Sequence, residues 1–453
     1  MNRAALFASF LLPTLAFAQA EKHPYDTAKE AFEKQLIARR AAAKANADLL
    51  VLDHVEADRA GKRVTIYAIA TGVAESDPIE FFVSTLSSGK DYESLAITYA
   101  TAADVDRALR FIGLAPGRRV DYEKNLQWPR GPRVTMTFVD GDARSRAELQ
   151  IITTGTGAPL PLRGLVYVGS PPPAAADGET VTAGGGGPIA PLYNDPAAVL
   201  DVPTRSAQGA VYGTLRANPK NKLPLGRPLK VVVEPATGDA AVRSRDLIIR
   251  AGPPGGPGAY VLEEERKTLA SVPNLPSLIA ALGEQAKAGD DLFSTVVFDP
   301  RMPVSEARKL YALLSSIEND PGVKLGPPTT GLFHKAFFPE EGWRDRQARL
   351  GEPWELFLTR EAGQLQGRLE RQTEAADPAA SQPVTLDRTS VADPDAFVRA
   401  INAVQSPWTK AVFVYPPADL TMGELDAWVV PALATYPRIF VFPALAPSTA
   451  PAP

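Results

Sequence analysis

Val297-Phe298-Asp299-Pro300-Arg301-Met302-Pro303-Val304 and Val412-Phe413-Val414-Tyr415-Pro416-Pro417-Ala418-Asp419-Leu420 decide the architecture of the second half of this chain. Each is a short apolar, β-branched and aromatic run that stops at proline, as a buried strand does. Ser305 and Thr421 then stand where a helix would be capped, and apolar residues recur at helical spacing to about Ile317 and Leu433. A second short apolar run, Val323 to Leu325 or Arg438 to Phe442, completes a strand-helix-strand unit in both places. A shift of 116 residues superposes the units without a gap, with Val296 on Val412, Pro300 on Pro416, Ser305 on Thr421, Leu313 on Val429 and Val323 on Ile439. This is an internal repeat. Pro431 conflicts with the second helix and predicts a kink or an early end. Helix candidates at Leu275–Leu282 and Ala396–Val404 precede the units, and strands at Asp246–Ile249 and Trp354–Leu358 are expected to join them. Two separate α+β modules, 241–360 and 361–443, or one larger domain with pseudo-two-fold symmetry fit equally well.

Working towards the N-terminus, the grammar changes to short strands punctuated by Gly, Pro and Asp. Leu49–Val55, Arg63–Ala70, Ile79–Leu86 and Glu93–Tyr99 read as a strand meander. A capped helix from Thr101 follows, with strands resuming at Arg133–Val139, Ala147–Thr153, Leu165–Val168, Val211–Leu215 and Leu229–Val233. Residues 49–240 thus form a mainly β domain, and Pro171–Pro191, with its proline and glycine runs, reads as loop or linker. Before it, 21–48 reads as a largely solvated helix with Phe32, Leu36 and Ile37 on one stripe. Residues 1–20 have Arg3, a short apolar stretch broken by Pro13 and small-x-small sites at Ala18 and Ala20, the pattern of a cleaved signal peptide. The tail 444–453 is expected to be disordered. The fold class is α+β. The expected location is periplasmic or otherwise extracytoplasmic, with no transmembrane segment after cleavage.

Composition narrows the chemistry. Of 453 residues, 45% are hydrophobic and 22% charged, which suits globular domains, and the net charge of -4 gives no footprint for nucleic acid. Cysteine is absent, which removes disulfides, thiolate metal sites and thiol nucleophiles, and the three histidines are His23, His54 and His334. No cofactor is expected. Asp53-His54, Glu56 and Asp58 bring ligand types close together, but strand alternation would put His54 and Glu56 on one face and Asp53 on the other. An exposed strand end is the better reading there, and no metal site is expected. Ser87-Ser88-Gly89-Lys90 has Ser-x-x-Lys spacing, yet its glycine argues for a turn. Trp428 lies on a helix with Leu425 and Val429 and reads as core. Asp91, Tyr92 and Glu93 rank first as ligand-binding candidates, at a hairpin after Gly89. No catalytic set is assigned.

Several strings between 75 and 235 resemble the YdjY-type domain family of secreted bacterial proteins: Phe81-Phe82-Val83, Gly89-Lys90-Asp91-Tyr92-Glu93-Ser94-Leu95, Ile112-Gly113-Leu114-Ala115-Pro116-Gly117, Leu165-Val166-Tyr167-Val168-Gly169-Ser170 and Asn194-Asp195-Pro196. The repeat strings quoted first are similar to the periplasmic domain of the ExbD/TolR biopolymer-transport family. The YdjY-type family has no established activity, and the ExbD/TolR resemblance implies a role in envelope protein contacts or cell-wall binding. The expected function is therefore non-enzymatic binding of an envelope protein or peptidoglycan, as an accessory to an envelope transport complex. The alternative is a hydrolase acting on envelope polymers through carboxylates such as Asp91 and Glu93.

Overall fold

The computed structural model describes residues 24–121, 128–171, 187–204, 206–316, 323–325, 353–373, 384–403, 411–436 and 439–442. The signal-like residues and the expected C-terminal tail lie outside them. Helix α1 (Pro24–Lys44) is followed by β1 (Leu49–Val51), β2 (Val55–Asp58), β3 (Arg63–Ala70), β4 (Phe81–Thr85) and β5 (Ser94–Thr98). Next come α2 (Ala102–Phe111), β6 (Arg133–Asp140), β7 (Ala143–Arg146), β8 (Ile151–Thr153), β9 (Leu165–Tyr167), β10 (Pro188–Pro191) and β11 (Leu200–Asp201). The short α3 (Gln208–Val211), β12 (Leu215–Ala217) and β13 (Pro228–Pro235) end this unit.

One sheet runs in the order β10-β4-β5-β3-β13-β6-β9-β11, with β2 also pairing β3, β1 pairing β2 and β7 pairing β6. At its centre Val231 of β13 lies between Ile66 of β3 and Phe138 of β6. Side chains alternate across a strand, so Val64, Ile66, Ala68 and Ala70 enter the main core while Tyr67 and Ile69 face α1. Tyr25, Ala28, Phe32 and Leu36 form the matching helical stripe. Helix α1 is therefore docked on the sheet; Ile37 falls off the stripe and is 64% exposed.

Two expectations are corrected here. The sheet is not a meander, because β4 and β5 are parallel. Pro188–Pro191, read as part of a linker, is strand β10, irregularly paired with β4; proline is tolerated on such an edge. Two of the strings resembling the YdjY-type family, Ile112–Gly117 and Leu165–Ser170, meet beside Asp106 of α2, which accepts hydrogen bonds from Tyr167 and, at 3.0 Å, from Arg110. Gly169 adopts φ +83° beside Pro116, where a Cβ would come within 2.8 Å of the proline side chain.

The repeats contain more strands than their local patterns show. The first is β14 (Ser244–Ala251), β15 (Tyr260–Glu264), β16 (Lys267–Val272), α4 (Leu275–Ala286), β17 (Asp291–Phe298), α5 (Val304–Ser316) and β18 (Val323–Leu325). The second is β19 (Trp354–Glu361), β20 (Gln364–Thr373), β21 (Val384–Val391), α6 (Pro394–Ala403), β22 (Val412–Tyr415), α7 (Met422–Val429) and β23 (Ile439–Val441). Their sheets have the same order, β16-β15-β14-β17-β18 and β21-β20-β19-β22-β23. In each, three antiparallel strands lead to two that run parallel to the first. Strand β19 straddles the expected boundary at residue 360 and belongs to the second sheet. Helix α7 stops at Val429, and a 3-10 turn over Val430–Ala434 carries Pro431.

The two repeats share a core. Leu310 and Leu314 of α5 belong to the same buried cluster as Leu425, Trp428 and Val429 of α7. Where the repeats meet, the Val304 amide donates to the Leu420 carbonyl at 2.9 Å and Met422 donates to Met302 at 2.8 Å. Val304 and Leu420 are equivalent under the shift of 116, so corresponding positions of the two repeats meet here. Trp428 is core, as its helical neighbours imply, and it reaches the sheet because Gly367 of β20 has no side chain: a Cβ there would lie 2.9 Å from the indole. The first repeat is tied to the N-terminal sheet by a buried Arg133–Asp291 ion pair and a bidentate Arg130–Asp246 pair at 2.6 and 2.7 Å. The protein is α+β throughout, and no helix among the described residues is long and apolar enough to cross a membrane.

Candidate functional site

The segment Leu86–Glu93 returns the chain from the end of β4 to the start of the parallel β5, a connection shorter than the dozen or so residues usual for parallel neighbours. Two 3-10 turns, Leu86–Ser88 and Asp91–Glu93, make this possible, with Gly89 between them at φ +66°. Hydrogen bonds fix the turn: Ser94 Oγ donates to the Lys90 carbonyl at 2.6 Å and lies 2.7 Å from Ser84 Oγ. Ser88 donates to the Thr85 carbonyl at 2.6 Å, which seats the Ser-x-x-Lys string as a turn. The connection is thus a tight crossover, not the expected hairpin.

The three candidates on this turn go to three different environments. Asp91 is half-buried, with the Tyr25 hydroxyl of α1 3.5 Å from Oδ2; burial, then the Asp91 charge, raises that phenol above its ordinary range. Tyr92 is 62% exposed. Glu93 is 3% exposed, and its Oε1 lies 2.6 Å from Lys90 Nζ in an ion pair. The same ammonium donates to Tyr92 Oη at 3.3 Å and lies 5.6 Å from the ring centroid. The Glu93 contact is the first cause holding the Lys90 ammonium above its ordinary range. Asp91 and Glu93 therefore do not form a solvated acid-base pair.

A different carboxylate approaches Glu93 from inside. Glu80, 2% exposed, donates its amide to the Glu93 carbonyl at 2.9 Å and accepts from Gln208 Nε2 of α3 at 2.9 Å. Burial pushes the Glu80 carboxyl up, the Gln208 hydrogen bond opposes this, and the Glu93 charge adds to it. Tyr193, packed edge-on against Phe81 at 5.8 Å, is likewise raised by burial and by Asp195. The result is a closed polar base carrying an open rim of Lys90 and Tyr92. Nothing local marks Glu80 or Gln208 as part of it, since they are 128 residues apart.

The Asp53-to-Asp58 group also departs from strand alternation. His54 lies in a turn between β1 and β2 at φ +53°, and it is 1% exposed instead of standing at an exposed strand end. Glu56 accepts from Arg39 at 2.7 Å and from Tyr67 at 3.2 Å, while Asp58 accepts from the Gly61 amide at 2.8 Å. The remaining pair gains a partner from α1: Glu33, Asp53 and His54 place ligand atoms within 4.8 Å of one another.

The chain matches no family model and no curated protein sequence. Among solved structures, it is similar to a Bacteroides thetaiotaomicron protein described as having an actin-like ATPase fold and unknown function. The match is 9% identical and covers 46% of this chain and 93% of that one, with a TM-score of 0.15, at which the superposition identifies neither fold nor activity.

Proposed function

We propose that this is an exported, non-enzymatic protein of the cell envelope that binds a protein partner or peptidoglycan, with an accessory role in an envelope transport complex. The reading rests on the Lys90–Tyr92–Glu93 turn. An exposed aromatic ring has a large apolar face and a polar hydroxyl, the combination that anchors binding interfaces. Here its neighbouring ammonium is held by the buried Glu93, and the turn itself is cross-bonded, so little side-chain freedom remains to be lost on binding. Export is supported by the signal-like first twenty residues, and the envelope setting by the strings resembling the YdjY-type and ExbD/TolR families.

The test is in-cell crosslinking of a tagged full-length copy, with co-sedimentation of the purified mature protein on peptidoglycan as a parallel arm. Reproducible capture of one envelope component is expected, and Tyr92→Ala lowers its affinity by about thirtyfold, the equivalent of a 2 kcal/mol anchor. Capture of no envelope component, or capture unaffected by Tyr92→Ala, refutes the proposal.

A further inference from the structure

His54 presents a donor atom with nothing to bind. Its Nδ1 is 2.9 Å from Asp53 Oδ1, and a carboxylate only accepts, so a ring hydrogen sits on Nδ1; in the neutral imidazole Nε2 then carries a lone pair. Nε2 is buried and has no hydrogen-bond partner. It points towards Glu33 Oε1 of α1, 3.8 Å away, so that with the neutral ring two acceptors face each other across a gap. Phe32 and Tyr99 flank the imidazole, with ring centroids 6.3 and 5.1 Å from its own.

We propose that His54 Nε2 and Glu33 Oε1 bind a divalent cation of the zinc class, with Asp53 orienting the imidazole from the outer shell. A metal about 2.1 Å from each atom bridges such a gap at an angle of about 130°. The carboxylate-imidazole-metal arrangement is the usual means of fixing a histidine ligand's tautomer. An imidazole donor favours zinc, copper or nickel over magnesium or calcium. Arg40 lies 3.7 Å from Glu33 and 3.6 Å from Asp53 and offsets part of their charge, which holds the affinity below that of a closed structural site. The remaining coordination positions go to water, since the Glu33 side chain is 39% exposed. Occupancy joins α1 to the β1–β2 turn.

Equilibrium dialysis of the full chain against Zn2+, with Mg2+ as control, tests this. One Zn2+ per chain is expected and Mg2+ is not retained. His54→Gln and Glu33→Gln each weaken zinc binding by about tenfold or more, and Asp53→Asn by about tenfold. Zinc also slows amide exchange across residues 24–44 in the wild type. Should His54→Gln fail to fold, Glu33→Gln decides alone, because Glu33 lies on the helix surface. No zinc retained by the wild type, or wild-type affinity in Glu33→Gln, overturns the proposal. So does a nitrogen spectrum that shows both His54 nitrogens protonated in the presence of zinc, because a proton then fills the gap.

Discussion

Asp291→Asn removes one partner of the ion pair between the N-terminal sheet and the first repeat. Its cost follows from burial. The Arg133 side chain is 5% exposed and that of Asp291 11%, whereas Asp246, in the neighbouring Arg130 pair, is 67% exposed. Burial already pulls the Arg133 guanidinium below its ordinary range, with the Asp291 charge opposing it, and Arg133 Nη1 has no hydrogen-bond partner. Without Asp291 a cation remains buried with its main compensation gone, a loss of about 3–5 kcal/mol for such pairs. Asp246→Asn breaks a contact that water can replace and costs about 0–1 kcal/mol. Replacing both buried partners, Arg133→Met with Asp291→Leu, removes the charges together and returns stability to within about 1 kcal/mol of wild type. Urea unfolding followed by tryptophan fluorescence reads all three, with midpoints compared at constant slope. If Asp291→Asn unfolds at the midpoint of Asp246→Asn, the desolvation argument is wrong.

Gly367→Ala places a methyl group against Val391, Trp428 and Leu356, at 2.7, 2.9 and 3.0 Å, and overpacking of this kind costs about 1–3 kcal/mol; an unchanged melting temperature would show that the sheet and α7 part freely. Burial pushes the Asp426 carboxyl up to about 7, and its Oδ1 has no hydrogen-bond partner. The folded state therefore keeps a proton that the unfolded chain releases near pH 4, so stability falls as the pH rises from about 4 to about 7 and is level above. Asp426→Asn removes that slope, matching wild type at about pH 4 and exceeding it at about pH 8, and parallel stability curves across this range would refute the assignment.

What could be read from the sequence was local punctuation. The strand, proline, cap and helix of each repeat follow one another without insertions, so β17, α5 and β18 were visible as copies of β22, α7 and β23. Upstream the correspondence changes register: Ile249 pairs with Val296 as Trp354 pairs with Val412, and that spacing is no longer 116 residues. The antiparallel strands had a second disguise. β20 reads Gln-Leu-Gln-Gly-Arg-Leu-Glu-Arg-Gln-Thr, in which Gly367 occupies an inward position and Arg368 covers Phe357 at 4.6 Å, so its alternation carries few apolar letters. The candidate sites failed to show for a different reason. Treating Leu49–Val55 as one strand sends Asp53 and His54 to opposite faces, but a left-handed residue at His54 turns the imidazole inward beside Asp53. Its third partner comes from a helix that reads as solvated because its charged residues outnumber its apolar stripe. Glu80 pairs with Glu93 and Gln208 only after the sheet has ordered β10, β4 and β5 side by side. In both sites one group lies on a turn with a legible signal, and its partners arrive from elements whose own patterns serve the core. Local chemistry can nominate the turn, while the tertiary pairing chooses which of its side chains is buried, which is tethered and which faces a ligand.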